Sequence, residues 1–187
     1  MAELLRIFVS ATADLEAQRG VIGRTLAGLP VKVGAEIRRF PPTGVSYETL
    51  FELISHVDRV YFLLGQDITA PSGSEWDLAW QLERPVVALR TTRRLTPAAL
   101  QFLRLTALHV PAQDWRSFAS DADLARLVGL DLIDTLLHFA NRYGLSVDEV
   151  VSLQRHRQHF QAPAAARPGE ADGAEAGAII LGQEAVV

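Results

Sequence analysis

The stretch from Asp58 to Leu89 decides the fold of this sequence and reads DRVYFLLGQDITAPSGSEWDLAWQLERPVVAL. Its first apolar run, Val60 to Leu64, has the length and composition of a buried strand. A polar loop follows, and the pattern then predicts a short helix that begins around Ser74 and is ended by Pro85. The second apolar run, Val86 to Leu89, predicts another buried strand. The stretch therefore predicts a strand, a ligand-binding loop, a capped helix and a second strand of a parallel sheet.

The loop after the first of these strands carries the residues of greatest chemical interest. In an open parallel sheet, ligands bind beyond the carboxyl ends of the strands. Gly65 and Asp67 follow the strand directly, and Ser72 and Glu75 lie at the predicted start of the helix. We therefore expect Gly65, Asp67 and Ser72 to contact a ligand, with Glu75 as the candidate catalytic carboxylate.

Glu75 has two interpretations that the sequence leaves open. A carboxylate at the mouth of a sheet can stabilise or attack an oxocarbenium-like sugar while an N-glycosidic bond is cleaved. Alternatively, Ser72 and Glu75 have the S-x-x-E spacing of a capping box, in which Glu75 returns a hydrogen bond to the Ser72 backbone. A capped helix start is also a natural anion site, so the two interpretations are compatible.

Alternating strands and helices extend over the first two-thirds of the chain. Such alternation is typical of a parallel sheet covered by helices on both faces. The units are short and predict a small flavodoxin-like sheet of about five strands. Besides the two strands above, the predicted strands are Leu4 to Val9, Val31 to Phe40 and Ala107 to Val110. The predicted helices between them end near Ala27, His56 and Leu103.

The last third of the sequence changes character. From Trp115 the apolar spacing predicts helices, the last of which begins at a capping box formed by Ser146 and Glu149. We therefore divide the chain into an α/β domain over residues 1–112, a helical extension packed on it over 113–161, and a tail over 162–187. The tail is rich in Ala, Pro, Gly and Glu and is expected to be disordered. Its apolar end, Ala178 to Leu181, is either a partner-binding segment or has no role.

The turn after the first strand holds three further candidate ligand-binding residues. Ser10, Thr12 and Asp14 stand at the carboxyl end of that strand, where hydroxyls and free helix N–H groups can hold a phosphate or a ribose. Alternatively, Thr12 simply caps the following helix and Asp14 forms an Asx turn. The chain contains neither the glycine-rich dinucleotide-binding fingerprint nor a P-loop, which disfavours a Rossmann domain and a P-loop NTPase.

Two more side chains suit a nucleotide at the same edge. Arg38 ends the second predicted strand and can meet a phosphate, although a solvated loop charge is the alternative. Trp76 can stack on a base, but Trp76 and Trp80 are four residues apart and equally fit packing in a core or an interface.

The composition excludes several classes of protein. A net charge of -4 over 187 residues gives no general attraction to nucleic acid or to an anionic membrane. The absence of cysteine excludes disulfides and thiolate chemistry. His156 and His159 have no acidic residue nearby in the sequence, so no metal site is predicted. Because no run approaches the roughly 20 apolar residues of a membrane span and the N-terminus lacks a basic leader, we expect a cytoplasmic protein.

Two stretches carry a resemblance to a known family. The segment RIFVSATADLEAQR, Arg6 to Arg19, resembles the opening motif vFVSSTfxDLxxER of a TIR-like domain of unknown function found at the N-terminus of STAND-type NTPases and repeat proteins. The stretch from Asp58 through Glu75 to Val87 resembles the later half of that family, in which an acid follows the third strand. The resemblance covers about residues 4 to 110. It implies a TIR-like sheet and a signalling or interaction module, including a place in a bacterial defence or STAND-type system.

The second stretch is also similar, more weakly, to nucleoside deoxyribosyltransferases, which have a catalytic glutamate in the pattern SGTxxElGyA…gKPv. Ser72, Glu75 and Pro85 echo that pattern. Three hypotheses follow from these resemblances. The chain is a module that self-associates or docks on a protein partner, an enzyme that cleaves NAD or a nucleoside through Glu75, or a catalytically silent nucleotide sensor. NAD or a related nucleotide is then a substrate or ligand, and no cofactor is predicted.

Overall fold

The structure of the protein, a computed structural model, describes residues 3–39, 44, 46–109 and 114–161. The predicted tail, including its apolar end, lies outside the described residues. Within the described ranges, no helix combines the length and the apolar character needed to cross a membrane.

The protein is an α/β sandwich built on a five-stranded, all-parallel sheet in the order β2-β1-β3-β4-β5. The strands are β1 (Leu5–Ala11), β2 (Ala35–Arg38), β3 (Arg59–Leu64), β4 (Val86–Thr91) and β5 (Trp115–Phe118). The helices are α1 (Glu16–Ala27), preceded by one 3-10 turn, α2 (Tyr47–Ser55), α3 (Ala70–Gln81), α4 (Pro97–His109), α5 (Asp121–Leu136) and α6 (Val147–Gln161). This strand order is the flavodoxin-like one, so the predicted fold class is confirmed.

The two faces of the sheet bury different helices. Tyr61 and Leu63 of β3 face a core that is completed by α1, α5 and α6. Phe62 and Leu64, the alternate residues of the same strand, face the side covered by α3 and α4, and α2 packs beside them. Because both faces are covered, β3 reads as a continuous apolar run rather than an alternating one. The predicted helical pair, now α5 and α6, thus contributes to one of the two cores.

Among the described residues, β2 is much shorter than the predicted strand, and the last part of β1 has no strand paired to it on that side. The predicted strand ran from Val31 to Phe40, but only Ala35–Arg38 pair with β1, and Arg38 lies opposite Phe8. On its other side β1 pairs with β3 through Ala11. The last residues of β1 therefore project beyond β2 at the carboxyl edge of the sheet.

The predicted position of the fifth strand is wrong. Residues 107–109 form the last turn of α4, and the fifth strand is Trp115–Phe118, beyond the predicted boundary at residue 112. Ala99, Phe102 and Thr106 recur at helical spacing up to the residue before the predicted strand, and α4 simply continues through residues 107–109. A short apolar run of this kind does not distinguish a strand from the end of a helix by itself.

Three helices begin at side-chain caps, and the last of these caps is the predicted one. Ser46 Oγ accepts the backbone N–H three residues later at 3.3 Å, and Thr96 Oγ1 does the same at 3.2 Å. Ser146 and Glu149 form the predicted capping box, because Glu149 Oε2 accepts the Ser146 N–H at 2.8 Å and Ser146 Oγ accepts the Glu149 N–H at 3.3 Å.

Candidate functional site

The predicted ligand edge is where β1 and β3 end side by side at the centre of the sheet. In the order β2-β1-β3-β4-β5, the chain reverses its direction of winding between β1 and β3, which makes this point the usual ligand crevice of the fold. The turn after β1 and the loop after β3 meet there. The structure therefore brings Ser10, Thr12, Asp14 and Gly65 together, as the sequence predicts.

Thr12, Asp14 and Gly65 bind to one another. The Thr12 hydroxyl donates to Asp14 Oδ1 at 2.7 Å and accepts the Gly65 N–H at 2.8 Å, and Asp14 Oδ2 accepts the Gln66 N–H at 2.8 Å. Thr12 does not cap the following helical turn with its side chain, contrary to one interpretation of the sequence. These three candidate ligand-binding residues instead join the β1 turn to the β3 loop.

The predicted start of α3 is wrong, and the capping-box interpretation of Glu75 is therefore wrong as well. The helix begins at Ala70 rather than near Ser74, with Thr69 as its N-cap residue. Pro71 fits the first turn because the N–H that proline lacks has no intrahelical acceptor there. Ser72 and Glu75 are therefore inside the helix, one turn apart, and the structure places the Glu75 side chain in the protein interior.

Glu75 is a buried carboxyl group beside the end of β1. Its side chain is 2 % exposed, and within the described chain Oε2 has no hydrogen-bond partner. Burial raises the pKa of Glu75 to about 7, while the Ser10 hydroxyl and the Arg19 charge oppose this rise. The proximity of Ser10 is enough to influence the pKa of Glu75, although Ser10 Oγ makes no hydrogen bond of normal geometry in this conformation. The carboxyl thus changes charge close to neutral pH.

Arg19 is a residue of this site that the sequence did not single out. Its guanidinium donates from Nη1 to the Val9 carbonyl at 2.7 Å and from Nη2 to the Ala11 carbonyl at 3.0 Å. Its Nε lies 2.8 Å from Glu16 Oε2 in an ion pair. The two carbonyls belong to the part of β1 that β2 does not cover, so Arg19 supplies donors that a longer β2 would have supplied. Because this role depends on where β2 ends, local sequence does not reveal it.

Ser72 and Asp67 also have contacts within the protein. Ser72 is buried, and its hydroxyl lies 3.4 Å from the Ala11 carbonyl and 3.3 Å from Thr69 Oγ1. Asp67 Oδ1 accepts the Thr96 hydroxyl at 2.5 Å and the N–H of the next residue at 2.9 Å. Asp67 therefore ties the β3 loop to the start of α4 and lies on the β4 side of the site.

Arg38 contacts Glu36 and α2 rather than the group around Glu75. Its Nε donates to Glu36 Oε1 at 2.9 Å, and its Nη1 donates to the carbonyls of Glu52 and Leu53 in the last turn of α2. Cations at a helix C-terminus are stabilised by its carbonyls and dipole. In this conformation the Arg38 side chain is thus engaged in a structural role.

Trp76 belongs to an aromatic cluster between α3, α4 and the sheet. Its ring is stacked on Trp115 with a centroid distance of 5.2 Å and meets Phe62 and Phe102 edge-on at 4.9 and 5.5 Å. Trp80 lies 6.1 Å from Trp76. This cluster holds all three tryptophans of the chain. The packing interpretation of Trp76 fits its buried position, and a base does not stack on it in this conformation.

An open groove lies over this cluster, and no local pattern in the sequence predicts it. Its volume is about 440 Å³, within the range of ligand sites. We call it the α3/α4 groove; it is lined by Gly73, Trp76, Asp77, Trp80, Gln81, Phe102, Leu105 and Thr106. Gly73, Asp77 and Gln81 are spaced by four residues and therefore lie on one face of α3. The groove forms because α4, which is distant in the sequence, packs beside that face.

No protein-family model matches this sequence, and no curated protein matches it. The resemblance of its motifs to TIR-like domains and to nucleoside deoxyribosyltransferases therefore stays a prediction. Among the described residues, no group of three or more His, Cys, Asp or Glu side chains is placed to hold a metal ion.

Proposed function

We propose that this chain is a protein-interaction module of the TIR-like signalling type and that it binds a protein partner through the surface formed by α3 and α4. The observation that carries the proposal is the α3/α4 groove together with exposed leucines on α4. Leu108 is 76 % exposed and Leu105, which lines the groove, is 44 % exposed. Leu100 adds a third exposed apolar side chain to the same helix.

Large apolar side chains on one helix beside a groove are typical of a surface that binds another protein. A leucine that stays in water contributes no burial free energy to an isolated domain. If the same leucine is buried against a partner, it contributes about 1.5–3 kcal/mol to the complex. By contrast, most of the candidate residues at the β1/β3 edge are already engaged within the protein. The interaction hypothesis therefore has a free surface to act through.

The test compares two matched substitutions of exposed apolar residues. Leu108→Arg places a charge on α4, and Val147→Arg places the same charge on α6, where Val147 is 80 % exposed. Sedimentation of the pure proteins measures self-association, and cross-linking mass spectrometry in the source cells measures contacts with partners. We expect wild type and Val147→Arg to form the same complexes and Leu108→Arg to lose them. Complexes that all three proteins form equally, or no complexes at all, would contradict the proposal.

A second candidate function rests on Glu75. A carboxyl group with a pKa of about 7 beside the Ser10 hydroxyl, at the ligand edge of the fold, suits cleavage of the bond between nicotinamide and ribose in NAD. The carboxylate stabilises positive charge on the sugar as the C–N bond breaks. Nicotinamide leaves with the bonding electrons, water adds its hydroxyl to the anomeric carbon, and one proton is released. Since Glu75 is buried, the first turn of α3 has to move before a nucleotide reaches it.

The second candidate is tested by incubating the protein with NAD and following nicotinamide release for wild type and Glu75→Gln. Release that this substitution abolishes supports the enzyme. Thermal stabilisation by a nucleotide without release instead supports the silent sensor. If neither release nor stabilisation occurs, the nucleotide hypotheses fail and the interaction module is unaffected.

A further inference from the structure

The α3/α4 groove combines an aromatic floor with a single charged side chain. Trp76, Trp80 and Phe102 line it and pack against one another through their rings. Asp77 is exposed on its α3 side, and among the described residues that line the groove it is the one with a charge. Within the described part of the chain, Asp77 forms no ion pair or hydrogen bond. Its carboxylate is thus available to a partner.

This combination selects a cation. The face of an aromatic ring attracts a positive charge, and a neighbouring carboxylate attracts it further. A guanidinium fits best because it is planar, stacks on aromatic faces and forms two parallel hydrogen bonds with a carboxylate. Arg104, the cation on α4 nearest in sequence to the lining residues, is not among those that line the groove. No lining residue that the structure describes therefore offers a positive charge to Asp77.

We propose that the α3/α4 groove binds an arginine side chain of a partner protein, with the guanidinium between Asp77 and the ring of Trp80. This inference rests on the proposed function, because it names the chemistry of the partner that the interaction module binds. The residue next to the arginine is apolar and covers Phe102 and Leu105.

The occupant is a protein segment rather than a free amine. The groove volume of about 440 Å³ is much larger than one guanidinium group needs. The exposed apolar surface also continues outside the groove along α4, where Leu108 lies one turn beyond Leu105. A small cation in the groove leaves these leucines in water, whereas a peptide segment covers them and the groove together.

Two substitutions separate the effect of the Asp77 charge on binding from the effect of the shape of the groove. Asp77→Asn removes the charge and keeps the size of the side chain. Gly73→Leu fills part of the groove and keeps the Asp77 charge, and it should be tolerated because a Cβ at Gly73 meets no atom within 4 Å and leucine favours a helix more than glycine does. Glu52→Gln is the matched control, since Glu52 is an exposed acid on α2, outside the groove.

The experiment selects binders for the full chain from a displayed library of random peptides and measures the affinity of the selected peptides by tryptophan fluorescence. Because all three tryptophans lie in the cluster and two of them line the groove, the emission should respond to a peptide bound there. We expect the selected peptides to be enriched in arginine next to an apolar residue. Asp77→Asn should weaken them about ten-fold and abolish most of the salt dependence of binding, and Gly73→Leu should abolish binding. Glu52→Gln should leave the affinity unchanged.

Several results would overturn the inference: no enriched peptide, enriched peptides without arginine, or affinities that Asp77→Asn leaves unchanged. Replacing arginine by lysine in a selected peptide should weaken binding several-fold, and equal affinity would contradict the role of the planar guanidinium. The cellular complexes show whether the proposed function itself fails or only the arginine-binding inference. If Leu108→Arg removes the cellular complexes while Asp77→Asn does not, the module stands and only the arginine-binding inference falls.

Discussion

The carboxylate of Asp14 occupies the space beside Gly65 that any side chain at position 65 would need. The two residues lie in different loops, and the Thr12 hydroxyl bridges them by donating to Asp14 and accepting the Gly65 N–H. Glycine at the end of β3 is thus required by a close approach rather than by an unusual backbone angle. The glycine and the aspartate together set how closely the β1 turn and the β3 loop can meet.

Gly65→Ala should therefore destabilise the protein by about 1–3 kcal/mol, because the added methyl group displaces the Asp14 carboxylate and its hydrogen bonds. The measurement is urea unfolding. Asp14→Ala should itself be destabilising, but the double substitution should cost less than the sum of the two single ones. Gly73→Ala is the control: with open space around its Cβ and a helical backbone, it should stabilise the protein by about 0.5–1 kcal/mol. Equal effects of Gly65→Ala and Gly73→Ala would contradict the close-approach argument.

The buried carboxyl of Glu75 should make the stability of the protein depend on pH. Its pKa is raised from an ordinary value near 4.5 to about 7, so the folded state binds its proton more tightly than the unfolded state does. Stability should therefore fall as the pH rises from about 4.5 through 7, and remain lower above that range. The full shift corresponds to roughly 3 kcal/mol.

Glu75→Gln removes this ionisation and should flatten the profile, so that the variant exceeds wild type in stability above about pH 7. The measurement is the free energy of unfolding at a series of pH values, with Glu52→Gln as the control that keeps the slope of wild type. Parallel profiles for wild type and Glu75→Gln would show that Glu75 ionises normally in the folded protein.

The fold was predictable because its main signals are local. The apolar runs of β3 and β4, the caps at Ser46, Thr96 and Ser146, and the alternation of strands and helices each depend on a few neighbouring residues. The parallel sheet follows from them, since short connections through a helix favour parallel neighbours. The position of the ligand edge follows from the fold in the same way.

The parts that sequence missed depend on distant residues. The S-x-x-E spacing of Ser72 and Glu75 fits both a cap and the interior of a helix, and only the start of α3 at Ala70 decides between them. The contact between Asp14 and Gly65 joins residues far apart in the chain. The α3/α4 groove needs two helices that no local pattern places side by side. The meeting of the β1 turn and the β3 loop was therefore predictable, whereas the contacts of the individual residues could not be derived.

Arg19 should stabilise the free edge of β1. Its two charged hydrogen bonds to the Val9 and Ala11 carbonyls replace those that the short β2 does not make. Arg19→Met keeps much of the apolar stem but no donor, so we expect a loss of about 2–3 kcal/mol in urea unfolding. Arg19→Lys keeps the charge but cannot hold both carbonyls in the same geometry, and should lose less.

Arg19→Met should also have a second measurable effect, which a loss of packing alone would not produce. Because the Arg19 charge lowers the pKa of Glu75, Arg19→Met should raise that pKa above its value of about 7, as measured by carbon NMR of the Glu75 carboxyl. Arg24→Met, on the exposed side of α1, is the control and should change neither stability nor the titration. An unchanged titration in Arg19→Met would mean that the guanidinium does not act on Glu75.

Removal of the Asp131 charge should strongly destabilise the protein. Asp131 lies on the sheet face that α5 covers, opposite to α3 and α4. It is buried in α5, accepts the Tyr61 hydroxyl at 2.7 Å and pairs with Arg59 at 2.6 Å. Burial, followed by the Asp131 charge, raises the pKa of Tyr61 well above its ordinary value, so this phenol stays a donor at all physiological pH values. Asp131→Ala leaves the buried Tyr61 hydroxyl without its acceptor and deprives the Arg59 guanidinium of its carboxylate, although Thr135 Oγ1 still accepts from Arg59 Nε, and should cost about 3 kcal/mol.

Asp134→Ala is the matched control, because Asp134 pairs with Arg157 at 2.9 Å on the exposed side of the same helix and should contribute less than about 1 kcal/mol. Tyr61→Phe should cost about 1 kcal/mol alone but little more when Asp131 is already alanine, since the phenol then has no acceptor to lose. Urea unfolding of the four combinations gives the coupling directly. Additive costs for Tyr61 and Asp131 would mean that their hydrogen bond contributes nothing, and that α5 is held to the sheet by Arg59 and by apolar contacts.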